Sequence, residues 1–258
     1  MREFLKPHRI FLILIAAGII TWCAWNLQWD WLANPKYQAM MLHGLWTTIW
    51  VLVVTMVIGM VLAIPIGFAQ AAGPPWLAWP CRVFCTVIRG TPLLLQIWML
   101  YYGIGSLFPS IPWIRDSALW PILRQAWPYA VTALSLSVAG YEGEIMRSAF
   151  KGVPHGQLEA AKSMGMPAFT MFRRIWLPQA IQRVLPTIGG ETVLQLKSTP
   201  LISTITIMDI YDVAGRVRRD TLIVYEPLLL LAVVYMLITA CIVLLFRWFE
   251  SKTPSRTA

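Results

Sequence analysis

No Asp, Glu, Lys or Arg occurs between Lys36 and Arg82, and most of the residues in this long stretch are apolar. About 20 consecutive apolar residues are enough for a helix to cross a lipid bilayer. The stretch therefore predicts a membrane-spanning helix over residues 44–71, which the Gly-Pro-Pro at 73–75 would end. A chain with this segment is limited to folds that form in a membrane.

The composition extends this setting to the whole chain. Hydrophobic residues make up 58% of the 258 residues and charged residues only 13%, which departs from the usage of soluble globular proteins. The predicted fold is all-α, a polytopic membrane helix bundle with about six transmembrane helices. The other five are expected at about 10–27, 84–104, 127–150, 181–196 and 228–246.

The formal charge of +9 has two possible explanations, nucleic-acid binding and membrane topology. No basic stretch is interleaved with aromatic residues outside the apolar segments, so we expect no nucleic-acid partner. With the N-terminus inside, the cytoplasmic segments hold most of the Lys and Arg residues. The positive-inside rule then places both termini in the cytoplasm.

Residues that carry enzyme or metal chemistry are sparse. None of His8, His43 and His155 has a plausible nucleophile or metal partner near it in the sequence. The four cysteines fit neither a disulfide nor a zinc site, and no Gly-rich phosphate-binding loop with its lysine is present. We therefore expect no catalytic residue, no metal site and no cofactor in this chain.

The segment from Lys151 to Arg183 is too long and too patterned for a simple connector. We expect an elbow of two short helices, 157–164 and 168–176, with a turn at Gly165 and an end before Pro178.

Two interpretations of this elbow stay open from the residues alone. In a docking device, Ala160 and Ala161 would remove bulk where a partner approaches, while Glu159 near a helix start remains available for a partner cation. In a lipid-binding hairpin, aromatic residues such as Phe169 and Trp176 would insert among the headgroups.

Several motifs resemble one family. Glu159-Ala160-Ala161, Gly165 and Ile175-Trp176-Leu177-Pro178 together are similar to the signature loop of permease subunits from bacterial ABC importers. Residues 88–96 and 101–103, with 190–193 and 196–199, resemble the polar amino acid uptake family within it. Residues 117–121 are similar to the permeases for arginine, ornithine and histidine. The matches span roughly residues 42–249, and a set of this size is more specific than any single motif.

This resemblance implies a transmembrane permease subunit of a binding-protein-dependent, ATP-driven amino acid importer in a bacterial inner membrane. The implied substrates are cationic (arginine, ornithine, histidine, lysine) or related opines. The implied partners are an ATPase subunit dimer that binds ATP and Mg, a second permease subunit, a periplasmic amino-acid-binding protein and membrane lipid. The second permease would be a related chain rather than a second copy. The docking residues would be Glu159, Ala160, Ala161, Gly165, Leu177 and Pro178.

The resemblance also implies three segments in the chain. Residues 1–36 would form an N-terminal cytoplasmic segment and an extra transmembrane helix that five-helix members of the family lack. Residues 37–250 would form the permease domain with its coupling-helix elbow, and residues 251–258 a cytoplasmic tail.

Alternative functions remain open from the sequence. An importer of neutral polar amino acids such as glutamine fits the same motifs. A secondary transporter driven by an ion gradient would show an internal repeat with paired broken helices, and no clear repeat is present. A structural membrane subunit would use its intramembrane acids only as braces.

Charged residues inside the predicted spans are costly in lipid and should face the bundle interior. The candidates for such interior positions are Glu142, Glu144, Glu191 and Lys197. Ion pairing, of Glu144 with Arg147 and of Glu191 with Lys197, is one explanation of these residues. In the functional interpretation, a discontinuous helix near Pro186 and Gly189-Gly190 turns its free backbone groups and Glu191 toward the substrate. The candidates for this path are Glu144, Glu191, Lys197, Ser198 and Thr199, with Glu144 the second choice after Glu191. Many relatives have Asp where this chain has Ser198.

A charged segment between the last two spans has a further expected role. Asp209, Asp212, Arg216, Arg218, Arg219 and Asp220 would form a periplasmic ledge that meets the charged rim of the binding protein. A solvated loop is the alternative.

Overall fold

The structure is a computed structural model that describes residues 27–252. Nearly all of these residues are helical and none of them forms a strand, so the predicted all-α bundle is confirmed. The predicted first span falls outside the described residues, apart from Leu27. The main helices are α1 (Pro35–Ala72), α2 (Pro75–Gly90), α3 (Leu93–Ser110), α4 (Trp127–Lys151), α5 (His155–Ser163), α6 (Leu177–Ser198), α7 (Ile210–Thr221) and α8 (Tyr225–Lys252).

Helix α1 begins earlier than the sequence predicts. The Asn34 side chain accepts a hydrogen bond of 3.0 Å from the backbone nitrogen of Lys36, and Pro35 occupies the first turn, where its missing N–H costs no hydrogen bond. The helix ends at Gly73 as predicted, because Pro74 cannot continue the backbone hydrogen-bond ladder.

Three helices in the described part of the chain, α1, α3 and α8, are long and apolar enough to cross a membrane. Helices α4 and α6 are also long, about 37 and 33 Å at 1.5 Å per residue, but they bury polar side chains, among them Glu142 and Gln195. The helices predicted at 127–150, 181–196 and 228–246 are all present, with wider bounds.

The centre of the bundle is the pair α1 and α4, which has the most extensive contact between helices. Gly59 of α1 lies against Val138 of α4, and Gly67 lies against Met146. The residue numbers increase together along this contact, so the two helices run parallel. Glycine at these positions lets the two backbones approach closely.

The predicted continuous span at 84–104 is wrong, because this crossing is broken in the middle. Helix α2 ends at Gly90, and α3 starts at Leu93 after extended backbone at Thr91 (φ −110°, ψ 139°). Pro92 lacks an N–H and disfavours a helical conformation at the residue before it. The Gln96 side chain satisfies part of the break by donating to the Ile88 carbonyl at 2.9 Å.

Both halves of the broken crossing run antiparallel to α4. Cys85 of α2 faces Gly143, and Ile88 faces Gly140. Ile97 of α3 packs in the same apolar cluster as Leu134. Helices α2 and α3 therefore continue in one direction and together form one discontinuous span.

Among the apolar clusters of the described residues, two lie at different levels of the bundle. One contains Met146, Phe150 and Ala161, close to the segment between α4 and α6, and we call this level the elbow end. The other contains Val51, Ile97 and Leu134 on the far side of Glu142.

Helix α7 lies at the end opposite the elbow. The charged residues 209–220 form this amphipathic helix rather than a loop, and the Asp209 side chain caps its start by accepting from the Asp212 backbone nitrogen at 2.9 Å. Its arginines point outward, whereas Val213 and Val217 are buried. The Nζ atom of Lys36 on α1 lies 2.7 Å from Oδ2 of Asp220. This hydrogen bond holds the pKa of the Asp220 carboxyl below its usual range.

Candidate functional site

An open cavity of about 200 Å³ lies midway along the bundle, where α4 and α6 face the break between α2 and α3. Both polar and apolar side chains line it. It is lined by Met56, Ile88, Thr91, Leu93, Ser137, Val138, Tyr141, Glu142, Glu191, Leu194, Gln195 and Ser198.

Glu142 dominates the chemistry of this cavity. Its side chain is buried, with 1% of the residue exposed, and neither carboxylate oxygen has a hydrogen-bond partner among residues 27–252. A buried carboxylate without hydrogen bonds or a counter-charge is strongly unfavourable. The half-buried Glu191 of α6 lines the same cavity, so the site can concentrate negative charge on one wall.

The break between α2 and α3 brings partial positive charge to the cavity. Thr91 and Leu93 line the cavity, and Leu93 is the first residue of α3, whose N-terminal backbone N–H groups carry partial positive charge. Helix starts of this kind favour carboxylate groups. The cavity thus offers two acids and a helix N-terminus to one small molecule.

The predicted path residues divide between the cavity and other places. Glu191 and Ser198 line the cavity. Glu144 does not, because it pairs with Arg147, whose Nε donates to it at 2.8 Å. Lys197 is exposed, and Thr199 is buried with its hydroxyl bonded to the Leu196 carbonyl at 2.8 Å.

The predicted pairing of Glu144 with Arg147 is therefore confirmed. No ion pair joins Glu191 to Lys197 among the described residues. They are six residues apart on α6 and so point in directions about 120° apart.

The prediction of a helix break near Pro186 and Gly189-Gly190 is wrong. Helix α6 is uninterrupted through all three residues, and Gly189 makes room for the ring of Phe246 on α8. The chain tightens into a 3-10 helix only after Ser198, over Thr199–Ile205. The break that faces the cavity is the one at Thr91.

Sequence reasoning counted Glu142 among the charged residues that should face the bundle interior, but did not include it among the residues of the substrate path. A usable signal exists, because Glu142 has no basic residue three or four positions away on its helix, whereas Glu144 has Arg147. The helix break at Thr91, which was not predicted, also has a sequence signal, since Gly90 and Pro92 flank Thr91 inside an apolar span.

The elbow, residues 152–176, has the predicted turn. Gly165 has φ +70°, in the left-handed region that suits glycine. Helix α5 exposes Glu159 and Ala160, whereas Leu158 and Ala161 are buried against the elbow-end cluster.

Two large apolar side chains project from the elbow. Met164 is 76% exposed and Phe169 is 73% exposed, one on each side of Gly165. They form an apolar tip beside the exposed surface of Glu159 and Ala160. A tip of this kind fits a groove on another protein, or lipid.

The predicted end of the second elbow helix before Pro178 is wrong. The chain is helical from Ala168 through a π turn at Phe172–Trp176 and on into α6. Proline lacks an N–H and clashes with a carbonyl one turn earlier. A π turn opens the backbone ladder at this point, so Pro178 is accommodated. Leu177 and Pro178 are half-buried.

Comparison with known families and proteins gives consistent results. Residues 57–254 match the family model of the binding-protein-dependent transport system inner membrane component. The chain is 43% identical over 175 residues to the octopine transport system permease protein of Rhizobium meliloti, covering 68% of this chain and 69% of that protein. It is 32% identical over 220 residues to the histidine/lysine/arginine/ornithine transport system permease protein of Escherichia coli K12, covering 83% and 91%.

Solved structures resemble the fold as well. An amino acid ABC transporter crystallised with histidines is similar with a TM-score of 0.72 and 27% identity, covering 88% of this chain and all of that one. The MetNI methionine ABC transporter is similar in fold, with a TM-score of 0.64 and 16% identity, covering 83% of this chain and 98% of that one.

Proposed function

The chain belongs to the family of binding-protein-dependent transport system inner membrane components, and we propose that it forms part of the path for a cationic amino acid or opine in an ATP-driven importer. The observation that carries this proposal is the buried, unpaired Glu142 in a cavity shared with Glu191. The names of the relatives support it, since they include permeases for octopine, nopaline, arginine, lysine and ornithine.

The cavity suggests how such a substrate is oriented. A cationic side chain would lie against Glu142 and Glu191, which thereby gain the counter-charge that the described residues do not provide. The α-carboxylate would face Thr91 and the start of α3, where the helix N-terminus favours an anion. Ser198 offers a hydroxyl but no third negative charge.

The elbow is proposed as the contact with the ATPase subunits, which would bind ATP with Mg and hydrolyse it. Its exposed surface supports this role, since Met164, Phe169, Glu159 and Ala160 all face outward. Ala161 differs from the other predicted docking residues, because its burial makes it a packing residue of the elbow.

The remaining partners and the orientation are also proposals. The elbow and the end of α8 lie at the same end of the bundle, since Phe246 near the end of α8 packs against the elbow-end cluster. Basic residues at this end support a cytoplasmic location by the positive-inside rule, with α7 in the periplasm, where its arginines would meet a binding protein. A second, related permease chain and lipid would cover the remaining apolar faces in the bacterial inner membrane.

The test of this function is uptake by the complete system. The chain, its ATPase, the second permease and the binding protein are reconstituted in vesicles, and entry of labelled arginine is measured with and without ATP. We expect ATP-dependent uptake that excess lysine, ornithine or histidine suppresses. Suppression by glutamine alone would move the substrate to neutral polar amino acids. Uptake that follows an ion gradient without ATP would contradict the importer assignment.

The proposed docking role predicts a strong effect of Gly165→Asp. The new side chain would sit at positive φ, which costs roughly 1–2 kcal/mol for most residues other than glycine and less for aspartate, and would add a charge beside the apolar tip. We expect arginine uptake per complex to fall about fivefold while membrane insertion is retained, because 1 kcal/mol corresponds to roughly that factor. Uptake and the amount of chain in the membrane are measured together.

Gly156→Asp is the matched control for this prediction. It adds the same charge to the elbow, but at the start of α5, where no neighbouring atom lies within 4 Å of the new side chain and an acid is favourable. Equal loss of uptake in both variants would argue against a specific role of the turn.

A further inference from the structure

Four aromatic rings meet where the elbow joins the bundle. The ring centroid of Phe68 on α1 lies 4.6 Å from that of Phe172 and 5.2 Å from that of Trp176, and both of these residues are in the π turn of the elbow. Phe150 near the end of α4 completes the group. Its ring centroid lies 5.5 Å from that of Phe68 and 6.1 Å from that of Trp176. We call these four residues the aromatic clamp. Steep interplanar angles of 65–87° give the edge-to-face geometry that aromatic pairs favour.

A hydrogen bond reinforces the aromatic clamp. The indole Nε1 of Trp176 donates to the backbone carbonyl of Phe150 at 2.9 Å. This carbonyl belongs to the last turn of α4, where carbonyl groups lack N–H donors from the helix itself, and it also accepts from the Val153 backbone nitrogen at 3.4 Å. The bond therefore ties the elbow to the end of α4 by a directional contact, in addition to ring packing.

Three buried apolar residues of the elbow also pack against the bundle. Leu158 and Ala161 of α5, with Met171, are buried in the same cluster as Met146 of α4. Closely packed interiors transmit strain. A displacement of the elbow is therefore passed on to the helices it packs against.

The helices that leave the aromatic clamp lead to the cavity. Glu142 precedes Phe150 on α4 by about 12 Å of helix at 1.5 Å per residue. Helix α6 starts directly after Trp176 and carries Glu191. The aromatic clamp thus contacts the C-terminal end of α4 and the N-terminal end of α6, the two helices that bring acids to the cavity.

We propose that the aromatic clamp transmits movement of the elbow to α4 and α6, and that Trp176 is its positioning residue. Displacement of the elbow then moves the two carboxylates relative to α3 as parts of rigid helices. The inference rests on the proposed function, because it takes the elbow as the contact with the ATPase.

The test uses Trp176→Phe in the complete reconstituted importer. Phenylalanine keeps a ring in the aromatic clamp and removes the N–H donor. ATP hydrolysis with loaded binding protein and arginine uptake are measured on the same vesicles. We expect the ATP consumed per arginine to rise about threefold, in line with the loss of one hydrogen bond, while hydrolysis itself continues and the complex keeps its normal composition.

Controls separate transmission from folding. Trp113→Phe makes the same change at a tryptophan that is 75% exposed and should leave the ATP-to-arginine ratio unchanged. If the Trp176→Phe complex does not assemble, Phe172→Leu carries the same test, because it keeps apolar volume and removes one ring. An unchanged ratio, or hydrolysis and uptake that fall in parallel, would overturn the inference. A wild-type complex without ATP-dependent uptake would instead overturn the proposed function.

Discussion

Replacing Gly67 with leucine is expected to prevent α1 from packing on α4 and to abolish accumulation of the folded chain. Even the first added carbon, Cβ, would lie 2.5 Å from Met146 Cβ, 2.8 Å from the Arg147 backbone nitrogen and 2.9 Å from the Gly143 carbonyl oxygen. Two of these atoms are backbone and cannot move away without shifting α4. Gly67→Ala should therefore already cost about 3 kcal/mol, the upper range for overpacking, and leucine more.

The matched control is the same pair of substitutions at Gly190. This glycine also lies inside a long helix, but no atom comes within 4 Å of an added Cβ. Alanine there should be neutral or stabilising, since glycine is about 0.5–1 kcal/mol less favourable than alanine in a helix. Thermal stability of the detergent-solubilised complex and the membrane content of the chain distinguish the two sites. Equal loss at both would contradict the close contact of α1 and α4.

The bundle itself was predictable because long apolar runs have few alternatives in a membrane. Helix ends were less accurate, as at α1, where capping by Asn34 and Pro35 starts the helix ahead of the strongly apolar stretch. A search for apolar residues alone does not register such caps, since they are polar or conformational signals.

The location of the helix break could not be decided from local sequence. Pro92 and Pro186 both have glycine within a few residues, yet only Pro92 interrupts its helix. The break at Thr91 persists because Gln96 and the Thr91 hydroxyl bond its exposed carbonyls. A proline inside a membrane helix is tolerated where the surroundings satisfy the backbone, and those surroundings are tertiary.

The type of candidate site, a polar path with acidic residues, was predictable from the sequence. The residues that line it were predicted only in part. Sequence reasoning identified Glu191 and Ser198, which line the cavity, but preferred Glu144 to Glu142. The two acids are two residues apart on α4, so they point to different sides of the helix. Which side faces the cavity depends on how α4 packs on α1 and α2, and composition carries no such information.

Neutralising Glu142 is expected to abolish efficient uptake without destabilising the chain. Glutamine has nearly the same shape, so Glu142→Gln keeps the packing and removes a buried carboxylate that has no partner in the described part of the chain. Loss of one member of a desolvated charge pair with a cationic substrate costs about 2–5 kcal/mol, so the apparent KM for arginine should rise about 30-fold or more. Thermal stability should stay the same or increase, because an unpaired buried charge is removed.

Glu144→Gln gives the opposite pattern and serves as the control on the same helix. Its carboxylate pairs with Arg147 at a partly exposed position, so its loss should cost no more than about 1 kcal/mol of stability and leave the KM for arginine unchanged. Both quantities are measured on the same purified complexes. If Glu142 were only a structural brace, its glutamine variant would lose stability and keep its KM, and that result would remove the acid from the proposed path.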